Sequence, residues 1–320
     1  MIDVIFTDTH FGWKNNSMTW LNSQMNFIYK QFIPTIKKLS KKDKVRVIHC
    51  GDVFDSRSTI STYVATKVVQ AFNDIRNVCD DFVIVCGNHD FYSPNSDIVN
   101  TVRLLLGHCS INIVDQELLE YDGHAFVPWY VYQNNDFKLG DDIKYVFCHA
   151  DIIMEPIPAG CYGKTIFSGH IHTPNIKDKK GLYNLGSCYS LNFADANSQR
   201  GFYIIQDGKI SFHPNTTSIS FHRIYNDDIL TTDISAMNND DYVELYVSEL
   251  NMVKESYINT IKKYTEHFTH LWIIPQVVTT NISNENFTGY DIEAIMDNMI
   301  PEDLMEQYNK VKHKINSSIS

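Results

Sequence analysis

Through the first two hundred positions, short runs of β-branched and aromatic residues alternate with longer stretches that are apolar on one side only. The runs Ile2 to Thr7, Val45 to Cys50, Phe82 to Cys86, Ile111 to Val114, Ala125 to Val127, Tyr145 to Cys148 and Thr165 to Ser168 have the length and composition of strands. Between the early ones, Phe27, Ile28, Phe32, Ile36 and Leu39 recur at helical spacing within Trp20 to Leu39. A second helical stretch, Thr59 to Val78, opens with a serine and threonine cluster suited to capping. Strands alternating with helices predict an α/β layered domain.

Further on, Gly201 to His213 reads as a hairpin, because Asp207-Gly208 supplies a two-residue turn between β-rich arms. Composition shifts after Pro214 into a Ser/Thr-rich stretch and then Asn226-Asp227-Asp228. Alternation through Val243, Leu245 and Val247, a helix from Met252 to His267 and the run Leu271 to Ile274 make a strand–helix–strand unit. The expected division is a main domain over 1–220, a small α+β domain over 221–285 and a helical segment over 286–320. Ile292, Ile295, Met296 and Met299 form an apolar face on that last segment, which either docks a partner or packs on its own domain.

Composition changes this picture in three ways. No run approaches the roughly 18 apolar residues of a membrane span, and the N-terminus reads as a strand rather than a secretory leader, so neither a membrane nor an export route is expected. The seven cysteines stand singly without paired spacing, which fits reduced thiols in a cytoplasmic protein. The formal charge of −11 is unusual for a chain that grips nucleic acid alone. It implies a small anionic substrate, a local basic groove or a partner that supplies positive surface.

Five short motifs carry the chemistry: Asp8-Thr9-His10, Gly51-Asp52-Val53-Phe54-Asp55, Gly87-Asn88-His89-Asp90, His149, and Gly169-His170-Ile171-His172. Each follows a predicted strand immediately, and open α/β sheets bind ligands outside the carboxyl ends of their strands. Any one of these motifs alone is commonplace; their occurrence in order across about 165 residues is not. The donors are carboxylate, imidazole and amide oxygen, a set suited to divalent transition metals, and no thiolate is required. A carboxylate such as Asp52 can bridge two ions. His49, His108, His124, His213, His222, His267, His270 and His313 fall outside the motifs and read as core or surface residues.

The order of these motifs resembles that of the calcineurin-like metallophosphoesterases. Asp8-Thr9-His10-Phe11-Gly12, Val127-Pro128-Trp129, and Leu185 to Leu191 followed by Arg200-Gly201-Phe202-Tyr203 are similar to segments of the SbcD-type nucleases, including the T-even phage recombination endonuclease subunit. Cys188 stands where that family usually has proline. The likeness spans about residues 1–213; it implies a layered β-sandwich flanked by helices and makes the small α+β domain over 221–285 a capping domain for DNA. It implies one metal held by Asp8, His10, Asp52 and His172 and a second held by Asp52, Asn88, His149 and His170, with manganese preferred. It further implies a DNA endo/exonuclease in which His89 protonates the leaving group, an SbcC-like ABC-type ATPase partner and a homodimer.

Asp55 or Asp90 would orient His89 or a ligand histidine, Asp55 being favoured. Arg57 meets a phosphate or pairs on the surface, and Trp13 stacks on a base or packs under its loop. The competing function is a small-molecule or cyclic-nucleotide phosphodiesterase or phosphatase of the same superfamily. Protein phosphatases of that group carry glutamate where Asp90 stands.

Overall fold

The computed structural model describes residues 1–93, 96–175 and 181–276. In the first sheet β1 (Ile2–Phe6), β2 (Val45–His49) and β3 (Asp81–Val85) run parallel. A small antiparallel pair, β4 (Phe91–Ser93) and β5 (Ser96–Asn100), leads to β6 (Asn112–Val114), which joins the free edge of β3 in parallel. The second sheet sets β8 (His124–Val127), β9 (Tyr145–His149), β10 (Thr165–Gly169) and β11 (Leu182–Asn184) parallel, with β7 (Leu119–Tyr121) antiparallel at the edge. The chain then returns to the first sheet as the hairpin β12 (Gly201–Gln206) and β13 (Lys209–Pro214). Asp207 and Gly208 both take positive φ at its tip, as a two-residue turn matched to strand twist requires.

The two sheets face each other, as the alternation of their side chains dictates. On β1, Val4 and Phe6 point to the helices while Ile5 points to the second sheet. The inner face of the second sheet is an aromatic ladder. Phe126, Phe147, Phe167 and Tyr183 are register partners on β8 to β11, and successive rings stack at 5.4, 5.3 and 4.9 Å.

Helices cover the outer face of the first sheet. Phe27, Ile28, Phe32, Ile36 and Leu39 are all buried, as their spacing predicts. The helix widens into a π turn at Phe27–Phe32 just before Pro34, whose ring and missing N–H disrupt a regular ladder. Ser61 caps the helix Thr62–Arg76 by accepting from the Val64 N–H at 3.2 Å.

β14 (Phe221–Tyr225), β15 (Tyr242–Ser248) and β16 (His270–Gln276) form a separate parallel sheet. The helix Glu255–His267 lays Tyr257 and Tyr264 against Val243, Leu245 and Val247, giving this sheet its own core. It meets the main body through Trp20, stacked on Phe221 at 5.7 Å. No helix among the described residues is long and apolar enough to cross a membrane. The expected segment 286–320, with Ile292, Ile295, Met296 and Met299, lies outside the described residues.

The aromatic ladder has a measurable consequence. Phe147 is fully buried between two rings, so Phe147→Ala is expected to destabilise the protein by about 3–5 kcal/mol in urea unfolding. A change below about 1 kcal/mol would show that the inter-sheet core does not depend on it.

Candidate metal centre

β1, β2, β3, β9 and β10 deliver their carboxyl ends to one edge of the sandwich, and the five motifs sit there. Asp8, His10 and His172 bring one donor atom each within 4.8 Å of one another, and so do Asp52, His149 and His170. Asp52 links the two groups. Its Oδ2 lies 3.2 Å from His149 Nε2 and 3.9 Å from His10 Nε2. Asn88 Oδ1 completes the second group, 3.1 Å from both His149 Nε2 and His170 Nδ1.

These separations fit a metal better than a hydrogen-bond network. Ligands about 2.0–2.2 Å from a common ion stand roughly 2.8–4.4 Å apart, neighbouring ligands at the short end and opposed ones at the long end. His10 Nε2 and His172 Nε2 face each other at 3.0 Å, and each is 3.7 Å from Asp8 Oδ1. Asp8, His10, Asp52 and His149 are buried, whereas Asn88, His89, His170 and His172 are only partly covered. The donors therefore form a closed floor and an open rim that a substrate can reach.

The backbone is held in unusual conformations to achieve this. Asp8, His10, Asp52 and His170 all have positive φ, a region that costs a non-glycine residue on the order of 1–3 kcal/mol. Asp90 supports one of these turns. Its buried carboxylate accepts from the N–H groups of Asp52, Val53 and Gly87, each at 2.9 Å. Burial and the neighbouring Asp52 push the Asp90 carboxyl up to about 7. Gly87 is required by close approach, because a Cβ there would overlap the Asp52 carboxylate and backbone.

Electrostatics within the cluster follow from burial set against close opposite charge. Burial works to raise the Asp52 carboxyl, but His149 and the other imidazoles hold it well below the usual carboxylate range. Asp8 is lowered in the same way, chiefly by His10. Burial works to lower His149, yet the Asp52 carboxylate brings it up to about 9. His49, beneath the site and against Thr9 Oγ1, is pushed down to about 3 by burial and belongs to the core.

His89 is beside the donors, its ring 5.2 Å from that of His10. Its Nδ1 lies 2.7 Å from the Asp55 carbonyl, not from a carboxylate. The Asp55 carboxylate turns instead toward His10, 3.7 Å from its Nδ1. Trp13 is anchored, its Nε1–H donating to the Leu191 carbonyl at 3.2 Å and its ring packed on the core. Arg57 is half-buried on the loop after Asp55 and makes no ion pair among the described residues.

Two supports were not visible as motifs. Gln24 donates to the carbonyls of Thr9 and His10, and the Tyr189 hydroxyl also bonds the Thr9 carbonyl. Trp129 places its ring 5.2 Å from that of His170. It follows β8 after Pro128, within the Val127-Pro128-Trp129 segment that the resemblance singles out.

The profile of the calcineurin-like phosphoesterase superfamily domain matches residues 1–203. The chain belongs to the calcineurin-like phosphoesterase superfamily. Its members are dimetal-dependent, in keeping with the groups around Asp8 and Asp52; His10, Asp55 and His89 make a third group of the same spacing. Among solved structures the chain is similar to an archaeal phosphodiesterase, at 14% identity, covering 67% of this chain and 99% of that one with a TM-score of 0.35. It is also similar to the nuclease MPE of Pseudomonas putida, at 16% identity, covering 65% and 86% of the two chains with a TM-score of 0.32. At such distances neither bears on what this chain cleaves. No curated protein matches.

Because His149 holds its proton up to about pH 9 in the metal-free protein, an ion must displace that proton to bind. Against burial, the carboxylates around His10 raise it as well, so metal affinity is expected to rise at least tenfold per pH unit from 6 upward, levelling off once both imidazoles are neutral. Isothermal titration calorimetry in buffers of different ionisation enthalpy should count at least one proton released near pH 7. Affinity that is flat over this range would contradict the assignment.

Proposed function

We propose that this protein is a two-metal phosphodiesterase acting on DNA, with manganese as its ion. The observation that carries the reading is Asp52 Oδ2, a single carboxylate oxygen standing between two complete donor groups. Asp8, His10, Asp52 and His172 would hold one ion and Asp52, Asn88, His149 and His170 the other. Two such ions supply positive charge opposite a phosphate and lower the pKa of a bound water.

The remaining work falls to the chain's own residues. The Asp55 carbonyl accepts from His89 Nδ1–H, so the proton on Nδ1 is fixed and Nε2 is the atom that exchanges one. Protonated, His89 can give that Nε2 proton to the departing sugar oxygen. The His89 backbone N–H donates to Asp52 Oδ1 at 2.8 Å, which leaves Oδ2 for the metals. Arg57 is available to an adjacent phosphate. The acidic total of −11 supports a subunit that shares DNA with a partner, an SbcC-like ABC-type ATPase, rather than a nuclease that grips DNA alone. Domains over 1–220 and 221–285 and a homodimer belong to the same reading.

His89→Gln is expected to lower kcat by about 10²–10⁴-fold while metal content stays at the wild-type level. Loss of metal in that variant would make His89 a ligand and end its role as proton donor. The choice of substrate is tested by comparing linear duplex and single-stranded DNA with bis-p-nitrophenyl phosphate. Activity on the ester alone, with none on DNA even beside an SbcC-like ATPase, would favour a small-molecule phosphodiesterase.

A further inference from the structure

Beside the metal centre lies a second cavity, of about 210 Å³, that none of the donors enters. One wall is the loop from Ser56 to Ile60, which continues from Asp55; the other runs from Val99 to Leu105. Both walls are tied to the site at their roots. The Asp55 carbonyl meets His89, and the Thr101 N–H donates to the Asp90 carbonyl at 2.9 Å. The loop is preformed: Ser56 Oγ accepts from the Thr59 N–H at 3.1 Å and pairs with Thr59 Oγ1 at 2.9 Å.

The lining has two kinds of surface. Tyr92, Val99 and Leu104 expose 63, 57 and 78% of their area to solvent at its mouth. Arg57, without an ion pair among the described residues, stands among serine and threonine hydroxyls on the opposite wall. A flat apolar group with hydrogen-bonding edges, joined to an anion, complements both surfaces together. Tyr92 is three residues beyond His89, so its Cα lies within about 11 Å of that of His89.

We propose that this cavity is a nucleobase subsite, which seats the base adjoining the cleaved phosphate. The inference rests on the DNA reading above. Tyr92 supplies the stacking face, Val99 and Leu104 the apolar border, and Arg57 meets the phosphate of the same nucleotide. Because stacking is indifferent to which base is present, the subsite positions the strand without reading its sequence. It also separates this chain from enzymes that hydrolyse simple esters, since part of the binding comes from a group such esters lack.

The test uses the full chain and oligonucleotides carrying one abasic residue on the 5′ or the 3′ side of the cleaved phosphate. For the wild type, removing the base on one of these sides is expected to lower kcat/KM by roughly 5- to 150-fold. Tyr92→Ala should lose a similar factor on intact DNA and nothing further on that abasic substrate, while Tyr92→Phe restores the wild-type pattern. Losses that multiply, or indifference to the abasic residue on either side, overturn the subsite. A changed sedimentation coefficient in Tyr92→Ala and Leu104→Ser, with the abasic dependence intact, gives this face to a second copy and overturns it as well. Hydrolysis of methyl p-nitrophenyl phosphate without any cleavage of DNA by the wild type, even beside an SbcC-like ATPase, overturns the nuclease reading, and the subsite with it.

Discussion

Two carboxylates, Asp8 and Asp52, are buried together with the imidazoles of His10 and His149 at the edge of a β-sandwich. Like charges sequestered in this way are costly unless compensating charge lies within a few ångströms. Imidazoles provide part of that compensation, and metal ions held by these donors would complete it. Much else in the molecule follows from keeping these groups in place. Asp90 ties down the turn that presents Asp52, Gln24 and Tyr189 hold the carbonyls behind Asp8 and His10, and Gly87 leaves room for the Asp52 carboxylate.

The fold makes this possible by bringing parallel strands of two sheets to the same edge. The aromatic ladder from Phe126 to Tyr183 keeps those sheets in register, so β9 and β10 place His149 and His170 opposite ligands that follow β1, β2 and β3. The left-handed turns at Asp8, His10, Asp52 and His170 store strain in the loops after the strands, where the donors are presented. The core behind them is regular, with ordinary alternation and a well-spaced helix at Thr62–Arg76.

Much of this was legible in the amino-acid sequence, for a physical reason. The five-residue strands that are buried on both faces read as continuous β-branched and aromatic runs, amphipathic helices are written in their own spacing, and the strand-end motifs lie adjacent to these runs. The three-residue strands Phe91–Ser93, Leu119–Tyr121 and Leu182–Asn184 are too short to show a period. The partner of His89 was hidden for a different reason. Residue type announces a carboxylate at Asp55, but the group that meets His89 is its backbone carbonyl, oriented by the Asp55 N–H bond to Phe11. Trp13 was ambiguous in the sequence because an indole suits stacking and packing equally, and its bond to Leu191 is made across nearly the whole domain.

The central claim is that two ions share Asp52. It is tested most directly by anomalous diffraction from crystals of the wild type and of Asp52→Ala, each equilibrated with manganese. The account predicts two peaks flanking Asp52 Oδ2 in the wild type, one against Asp8, His10 and His172 and the other against Asn88, His149 and His170. In Asp52→Ala both should weaken together. A single peak in the wild type, or loss of one peak with the other at full occupancy, would contradict it.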